Sequence, residues 1–246
     1  MTIHRGVLAS LALASAAIAV QASAQTFSEG TFASGTYSLT PTYNSGGAFI
    51  GVGECLTCGN PDSALRFVLF YPGASAAALG VVLNNTAYDP GVQGAINSLS
   101  ISLQKNLTST IVGPFGNTIR PLIQQNGNYY LASMSLADVT GPTTTGYRTG
   151  TGTFNASDFT LYDFTTGAFG VGNPNFASGV VKFGIGQIGT VSSAGNTFAD
   201  YDNFNIRLAT GAVPEPATWG MMILGLGAAG YAMRRRRQPH ATPRAA

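Results

Sequence analysis

The side chains that could do chemistry are few, and most are carboxylates. Cys55 and Cys58 bracket Leu56-Thr57 and are the chain's two cysteines. A redox pair of this spacing needs its first thiol at a helix N-terminus, where the dipole lowers its pKa. Here the flanks Gly51-Val52-Gly53-Glu54 and Gly59-Asn60-Pro61 read as loop. A zinc site would need further ligands, and neither a second CxxC nor a histidine is nearby. The spacing favours a small disulfide pinning a loop in an oxidising compartment.

The two histidines, His4 and His240, sit near the chain ends, so the region between has no imidazole. That removes His-dependent serine or cysteine triads and histidine-rich metal centres. Glu54, Asp62, Asp89, Asp158, Asp163 and Asp200 remain as candidates for glycoside hydrolysis, which needs two carboxyl groups at a set separation. None forms an acid cluster on a strand, and surface solubility accounts for each. Asp200-Tyr201-Asp202-Asn203 lies just ahead of the last apolar run. Its oxygens could ligate a structural Ca²⁺, or cap a turn through side chain–backbone bonds. Capping is favoured, because no second oxygen-rich loop completes a shell; no catalytic residue, metal ligand or cofactor is assigned. Tyr37, Tyr43, Tyr71, Tyr88, Tyr129, Tyr130, Tyr147, Tyr162 and Tyr201 could stack on sugar rings where exposed, or pack the core.

The elements that must position these groups are strands. Ala64–Tyr71 and Leu79–Leu83 are short apolar runs bounded by Pro72-Gly73 and Asn84-Asn85. In Ser98–Leu103 the apolar Leu99, Ile101 and Leu103 alternate with serines, which marks a strand with one buried face. Asn126-Gly127 between Leu122–Gln125 and Tyr129–Leu136 predicts a hairpin with a type I′ turn. Phe159, Leu161 and Asp163 alternate, as do Val181, Phe183 and Ile185, and then Phe204, Ile206 and Leu208. No amphipathic helix and no internal repeat interrupts them. The pattern predicts an all-β, jelly-roll-type β-sandwich over residues 25–211.

The two ends are of another kind. Residues 1–24 carry a basic start (His4, Arg5), an apolar run Val7–Val20 and the small-residue site Ala22-Ser23-Ala24. This reads as a secretory signal peptide cut after Ala24, or alternatively after Ala22. Between the ends stand six basic and nine acidic residues, so the net charge of that region is −3 although the whole chain is +2. No clustered basic face suggests nucleic acid. Pro214-Glu215-Pro216 then precedes Ala217–Met233, seventeen residues without a charge, followed by Arg234, Arg235, Arg236 and Arg237. That length is at the short end of the roughly 17–25 residues of a membrane-spanning helix, with Trp219 at one interface and the arginines at the other. Residues 238–246 read as a disordered tail.

Residues 212–237 resemble the PEP-CTERM sorting signal of Gram-negative bacteria. The resemblance rests on Pro214, Glu215, Pro216, Trp219, Met221, Met222, Gly225, Gly227, Gly230 and Arg234–Arg237. Gly220 stands where alanine is common, a minor departure. The signal peptide implies export through the Sec translocon and cleavage by signal peptidase, and the resemblance agrees with export. The resemblance further implies a transient stage at the inner membrane, then cleavage by an exosortase, in an organism that makes exopolysaccharide. The three glycines would let the helix pack closely against another helix. The region before the tail is more distantly similar to laminin-G-like and carbohydrate-binding jelly-roll domains. The residues are Gly94-Ala95-Ile96-Asn97-Ser98-Leu99, Asp158-Phe159 and Asp202-Asn203-Phe204. That similarity implies a non-enzymatic surface or matrix protein associating with glycans. A purely structural matrix component is the alternative, and a His-free, carboxylate-dependent enzyme acting on glycans ranks last.

Overall fold

The computed structural model describes residues 24–133, 137–140, 146–211 and 216–236. In chain order the first half holds β1 (Ala24–Glu29), β2 (Tyr37–Leu39), β3 (Tyr43–Asn44), β4 (Phe49–Cys55), β5 (Ala64–Tyr71), β6 (Ser75–Leu83), the short α1 (Pro90–Gln93) and β7 (Ile96–Ser109). The second half holds β8 (Phe115–Gln125), β9 (Asn128–Ala132), β10 (Ala137–Thr140), β11 (Arg148–Phe154), β12 (Phe159–Asp163), β13 (Ala168–Phe169), β14 (Val181–Val191), β15 (Gly195–Thr210) and α2 (Pro216–Arg236). Two antiparallel sheets form a sandwich. The first runs β11-β7-β15-β5-β4, with β1 also on β15. The second runs β13-β12-β9-β8-β14-β6-β2, with β10 on β8 and β3 on β6. The contact pattern separates Ala22–Val213 from the two chain ends.

The core lies between the sheets, where the expected alternation is met. Leu99, Ile101 and Leu103 of β7 point inward with Leu65, Phe67 and Leu69 of β5, against Ile119, Ile123, Val181, Phe183 and Ile185 of the second sheet. The β8–β9 hairpin turns at Asn126 (φ 51°) and Gly127 (φ 79°), the two left-handed positions a type I′ turn requires. Strand β9 ends at Ala132, and residues 134–136, which the expected strand included, lie outside the described residues.

The last strand differs most from expectation. Asp200–Asn203 is not a loop ahead of it but lies within β15, which starts at Gly195. Before Asp202 the positions turned to the core are the odd-numbered Thr197, Ala199 and Tyr201, with Asp200 buried on the other face against Arg66; after it they are Phe204, Ile206 and Leu208. A shift of one residue sends every side chain to the other face of a strand. Here a bulge absorbs it: Asp202 pairs with Gln104, but the next pair is Asn205 with Ser102. Asn203 takes the extra position at φ 50°, a backbone conformation that asparagine tolerates better than most residues. The change of parity hid the first half of the strand from a pattern reading.

The outer face of the second sheet is covered. Phe164, Tyr162, Leu122, Leu131, Val82 and Ala78 form a second apolar cluster there, with Tyr43 and Tyr129 packed against it. Gly80 and Gly186 face each other across β6 and β14, and the Phe164 ring sits over the gap they leave. A methyl group at Gly80 would come within 2.9 Å of Phe164 Cζ. Among the described residues no second apolar cluster covers the outer face of the first sheet, where Phe49 and Phe70 stay exposed.

Buried tyrosines tie the layers together. Tyr201 donates its hydroxyl to Gln187 Oε1 across the core at 2.6 Å. Burial pushes the Tyr201 and Tyr71 phenols well up, and pushes that of Tyr162 to about 12. In the unfolded chain a phenol ionises near 10. Above that pH the unfolded state therefore holds fewer protons than the folded one, and stability falls as pH rises. Urea unfolding is expected to show a loss between pH 10 and 12 approaching about 1.4 kcal/mol per pH unit for each such tyrosine. An unchanged midpoint over that range would contradict the burial of these phenols.

The ends need one correction. Among the described residues no helix is long and apolar enough to cross a membrane. The expected spanning helix 217–233 is present as part of α2, but Gly220, Gly225, Gly227 and Gly230 add length without apolar side chains, and Thr218 and Tyr231 add polar groups. Ala22 and the rest of the signal peptide, except Ala24, lie outside the described residues, as do Pro214, Glu215, Arg237 and residues 238–246. Ala24 opens β1, opposite Ala209.

Candidate functional site

The open outer face of the first sheet gathers several of the residues singled out by their chemistry. At its middle is the β15 bulge. Asp202 accepts the Asn60 backbone N–H on Oδ2 at 2.5 Å and the Asn203 N–H on Oδ1 at 2.6 Å. Asn203 donates through Nδ2 to the Asn60 carbonyl at 2.9 Å and to Gln104 Oε1 at 3.2 Å. Asn60 belongs to the loop that joins β4 to β5, and Cys55 and Cys58 are disulfide-bonded at the start of that loop. Tyr147 donates its hydroxyl to the Cys58 carbonyl. Burial, then the charges of Asp200 and Asp202, push the Tyr147 phenol well up. The cysteine loop and the acidic segment are thus one construction, a strap laid over the bulge.

Asp200 faces Arg66 directly across β15 and β5. The guanidinium donates from Nε at 2.6 Å and from Nη2 at 2.9 Å, a bidentate pair. With Asp202 accepting from two amides and Asp200 from a guanidinium, both carboxylates act as caps and counter-charges. Among the described residues no three His, Cys, Asp or Glu side chains gather to hold a metal. The other acids considered for hydrolysis are also local caps where they bond. Asp89 accepts the Gly91 N–H at the start of α1, and Asp158 accepts the Asn155 N–H. Asp163 accepts from the Thr165 hydroxyl and N–H, which hold its carboxyl below the usual range.

On the side of the strap toward the last residues of β15, a groove of about 320 Å³ crosses β11, β7, β15 and β1. Two rows of outward side chains line it in register. One row is Thr151, Ser102 and Asn205; the other is Thr153, Ser100, Arg207 and Thr26. Ser100 and Thr153 share a hydrogen bond of 3.1 Å between their hydroxyls. Gly152 and the small serines keep the floor low.

On the other side of the strap lies an aromatic tier. Phe49 and Phe70 are opposite one another on β4 and β5, with ring centroids 5.8 Å apart. Phe70 meets Phe198 edge-on at 6.2 Å, and the Arg66 guanidinium lies 5.8 Å from the Phe198 centroid. Phe49 is 62% and Phe70 38% exposed, against 4% or less for Tyr71, Tyr88, Tyr162 and Tyr201. The open rings of this tier are therefore phenylalanines, and those four tyrosines pack the core, the alternative given for them. Period-two reading of β5 from Arg66 would have placed Val68 and Phe70 on its outward face. The serines of β7 were read as outward, and Arg207 shares their level.

The tail is separate. Pro216 starts α2 and Trp219 lies in its first turns. The helix exposes Met222, Ile223, Leu224, Leu226 and Met233, and Arg234 is exposed as well.

No curated protein matches the chain in sequence. Several solved structures share part of the architecture. One is the family 11 carbohydrate-binding module from Clostridium thermocellum in complex with a β-1,3-1,4-mixed-linked tetrasaccharide, 11% identical. It covers 74% of this chain and 94% of its own, with a TM-score of 0.43. The mannan-recognising module TmCBM27 is 13% identical, covers 77% and 100%, and scores 0.39. The xylan-binding domain CBM22-1 of Paenibacillus barcinonensis Xyn10C is 14% identical, covers 78% and 97%, and scores 0.34. Each is a distant likeness. The sequence match is firm at the tail alone: residues 212–237 fit the PEP-CTERM protein-sorting motif. With order, spacing and charge agreeing there, the chain carries a PEP-CTERM sorting signal, which implies export to the cell surface or beyond.

Proposed function

We propose that this is a non-enzymatic, exported glycan-associating protein of a Gram-negative bacterium, delivered by its tail and acting through the open face of its first sheet. The route runs through the Sec translocon and signal peptidase to an exosortase at the inner membrane, which removes the tail. The finished sandwich then associates with exopolysaccharide at the cell surface or in the matrix. The observation that carries the glycan reading is the makeup of that face, with exposed phenyl rings on one side of the strap and a hydroxyl-lined groove on the other. Rings supply apolar faces for pyranoses, and Ser, Thr and Asn can both donate to and accept from sugar hydroxyls. Asp89, Asp158, Asp163, Asp200 and Asp202 are engaged as caps or counter-charges, which favours binding over hydrolysis.

Affinity electrophoresis of the purified full chain through gels containing the producing organism's own polysaccharide, and through neutral glucan, xylan and mannan gels, tests this. Retardation is expected for the wild type. The Phe49→Ala/Phe70→Ala variant should weaken it about tenfold or more, given roughly 0.5–1.5 kcal/mol for each aromatic contact. Free migration of the wild type through every gel would sink the glycan reading and leave a structural matrix role.

A further inference from the structure

The groove and the aromatic tier share a face but not a chemistry. Resting on the glycan reading above, we propose that the groove over β11, β7, β15 and β1 takes an acidic sugar, with the sugar carboxylate on Arg207. Charge decides this. Arg66, on the tier side of the strap, already meets Asp200 in a bidentate pair. Arg207 is exposed, lines the groove and has no ion pair among the described residues. No Asp or Glu lines the groove. Its neighbours in register are Ser100 on β7 and Thr26 on β1, with Thr153 beyond Ser100.

A planar guanidinium beside neutral hydroxyls matches a carboxylate attached to a ring of hydroxyls. The fork takes the two carboxylate oxygens, and Ser and Thr take the hydroxyls. The groove's size, near the low end of the roughly 300–1,000 Å³ of ligand sites, suits a short stretch of polymer. The region as a whole is net negative, at six bases against nine acids. An acidic polymer is therefore drawn to this groove by a local charge and repelled by the rest of the domain, which gives the site its selectivity.

Oligogalacturonates and their methyl-esterified forms are suitable probes, because esterification removes the charge and keeps the backbone. Binding of the purified full chain is measured by titration calorimetry at low and high salt. The acid form should bind at least about tenfold more tightly than the ester, corresponding to about 1.4 kcal/mol. The preference should shrink with salt. Arg207→Gln should abolish it and Arg207→Lys should restore part of it, with thermal melting unchanged in both, since the side chain is exposed. Equal binding of acid and ester by the wild type, or a preference that survives Arg207→Gln, overturns the inference. If neutral polysaccharides bind through Phe49 and Phe70 while neither galacturonate form binds, the glycan reading stands and this one fails. If no glycan of any kind binds, both fail.

Discussion

A chain carrying Glu215→Ala is expected to accumulate as a single, cell-bound species retaining its tail, whereas the wild type yields a shorter form at the surface or in the medium. The motif over residues 212–237 combines a stiff Pro-Glu-Pro segment, an apolar helix and an arginine cluster. Two prolines fix the path on either side of Glu215, because each locks its own φ and restricts the residue before it. A sequence of this kind favours extended backbone, the form in which a protease accepts its substrate. Glu215 is the one acid in the tail, so its loss removes the only charge at the segment. Immunoblotting of fractionated cells with an antibody to the sandwich reads the result. Normal processing of the variant would show that the tail is recognised without its acid. Replacing Arg234–Arg237 by glutamine is a companion case, since the arginine cluster is the other charged part of the motif.

The largest expected loss of stability comes from Phe164→Ala. Phe164 is buried, fills the gap between Gly80 and Gly186, and touches Tyr162 and Tyr129 edge-on at 4.8 and 5.6 Å. Neither glycine has a side chain that could relax into the vacated space, so the cavity should persist. Truncations of this kind cost about 3–5 kcal/mol, a large part of the roughly 5–15 kcal/mol that holds a domain together. Urea unfolding should show a lower midpoint at unchanged slope, the product of the slope and the shift giving that loss. A loss under about 1 kcal/mol would mean that the outer layer contributes little to the second sheet.

Much of the sandwich was legible because sheets with one buried face impose a period of two. Leu99, Ile101 and Leu103 announced their face, and Asn126-Gly127 announced its turn through the backbone conformations it permits. The failures share a physical cause. Strand β6 is buried on both sides, by Leu79, Val81 and Leu83 within and by Ala78 and Val82 without, so its start carried no alternation to read. In β15 the bulge at Asn203 inverted the alternation midway, and the acidic segment was taken for a loop. The site was less legible than the fold. Phe49 and Phe70 look like core residues in sequence, and only the absence of a covering layer makes them surface. Arg207 has meaning only beside Ser100 and Thr26, residues that no pattern along the chain connects to it. Cys55–Cys58 and Asp202–Asn203 were both noticed, but their meeting at Asn60 depends on a contact spanning 142 positions.

The central place of β15 in the first sheet bears on the timing of export. This strand bonds β7 on one side, and on the other β5 along its first part and β1 along its last. On the proposed Sec route, which delivers the N-terminus first, these residues cross near the end of the passage. Until then β1 has no partner, and β5 lacks the neighbour that joins it to β7. Such late, long-range pairing is slow to form, so the first sheet stays in two pieces, β4–β5 and β7–β11, while every strand of the second sheet precedes β15. On the proposed route the first sheet therefore closes only as Gly195–Thr210 emerges, a few residues ahead of Pro214. Assembly of the cargo and arrival of its address label become almost one event.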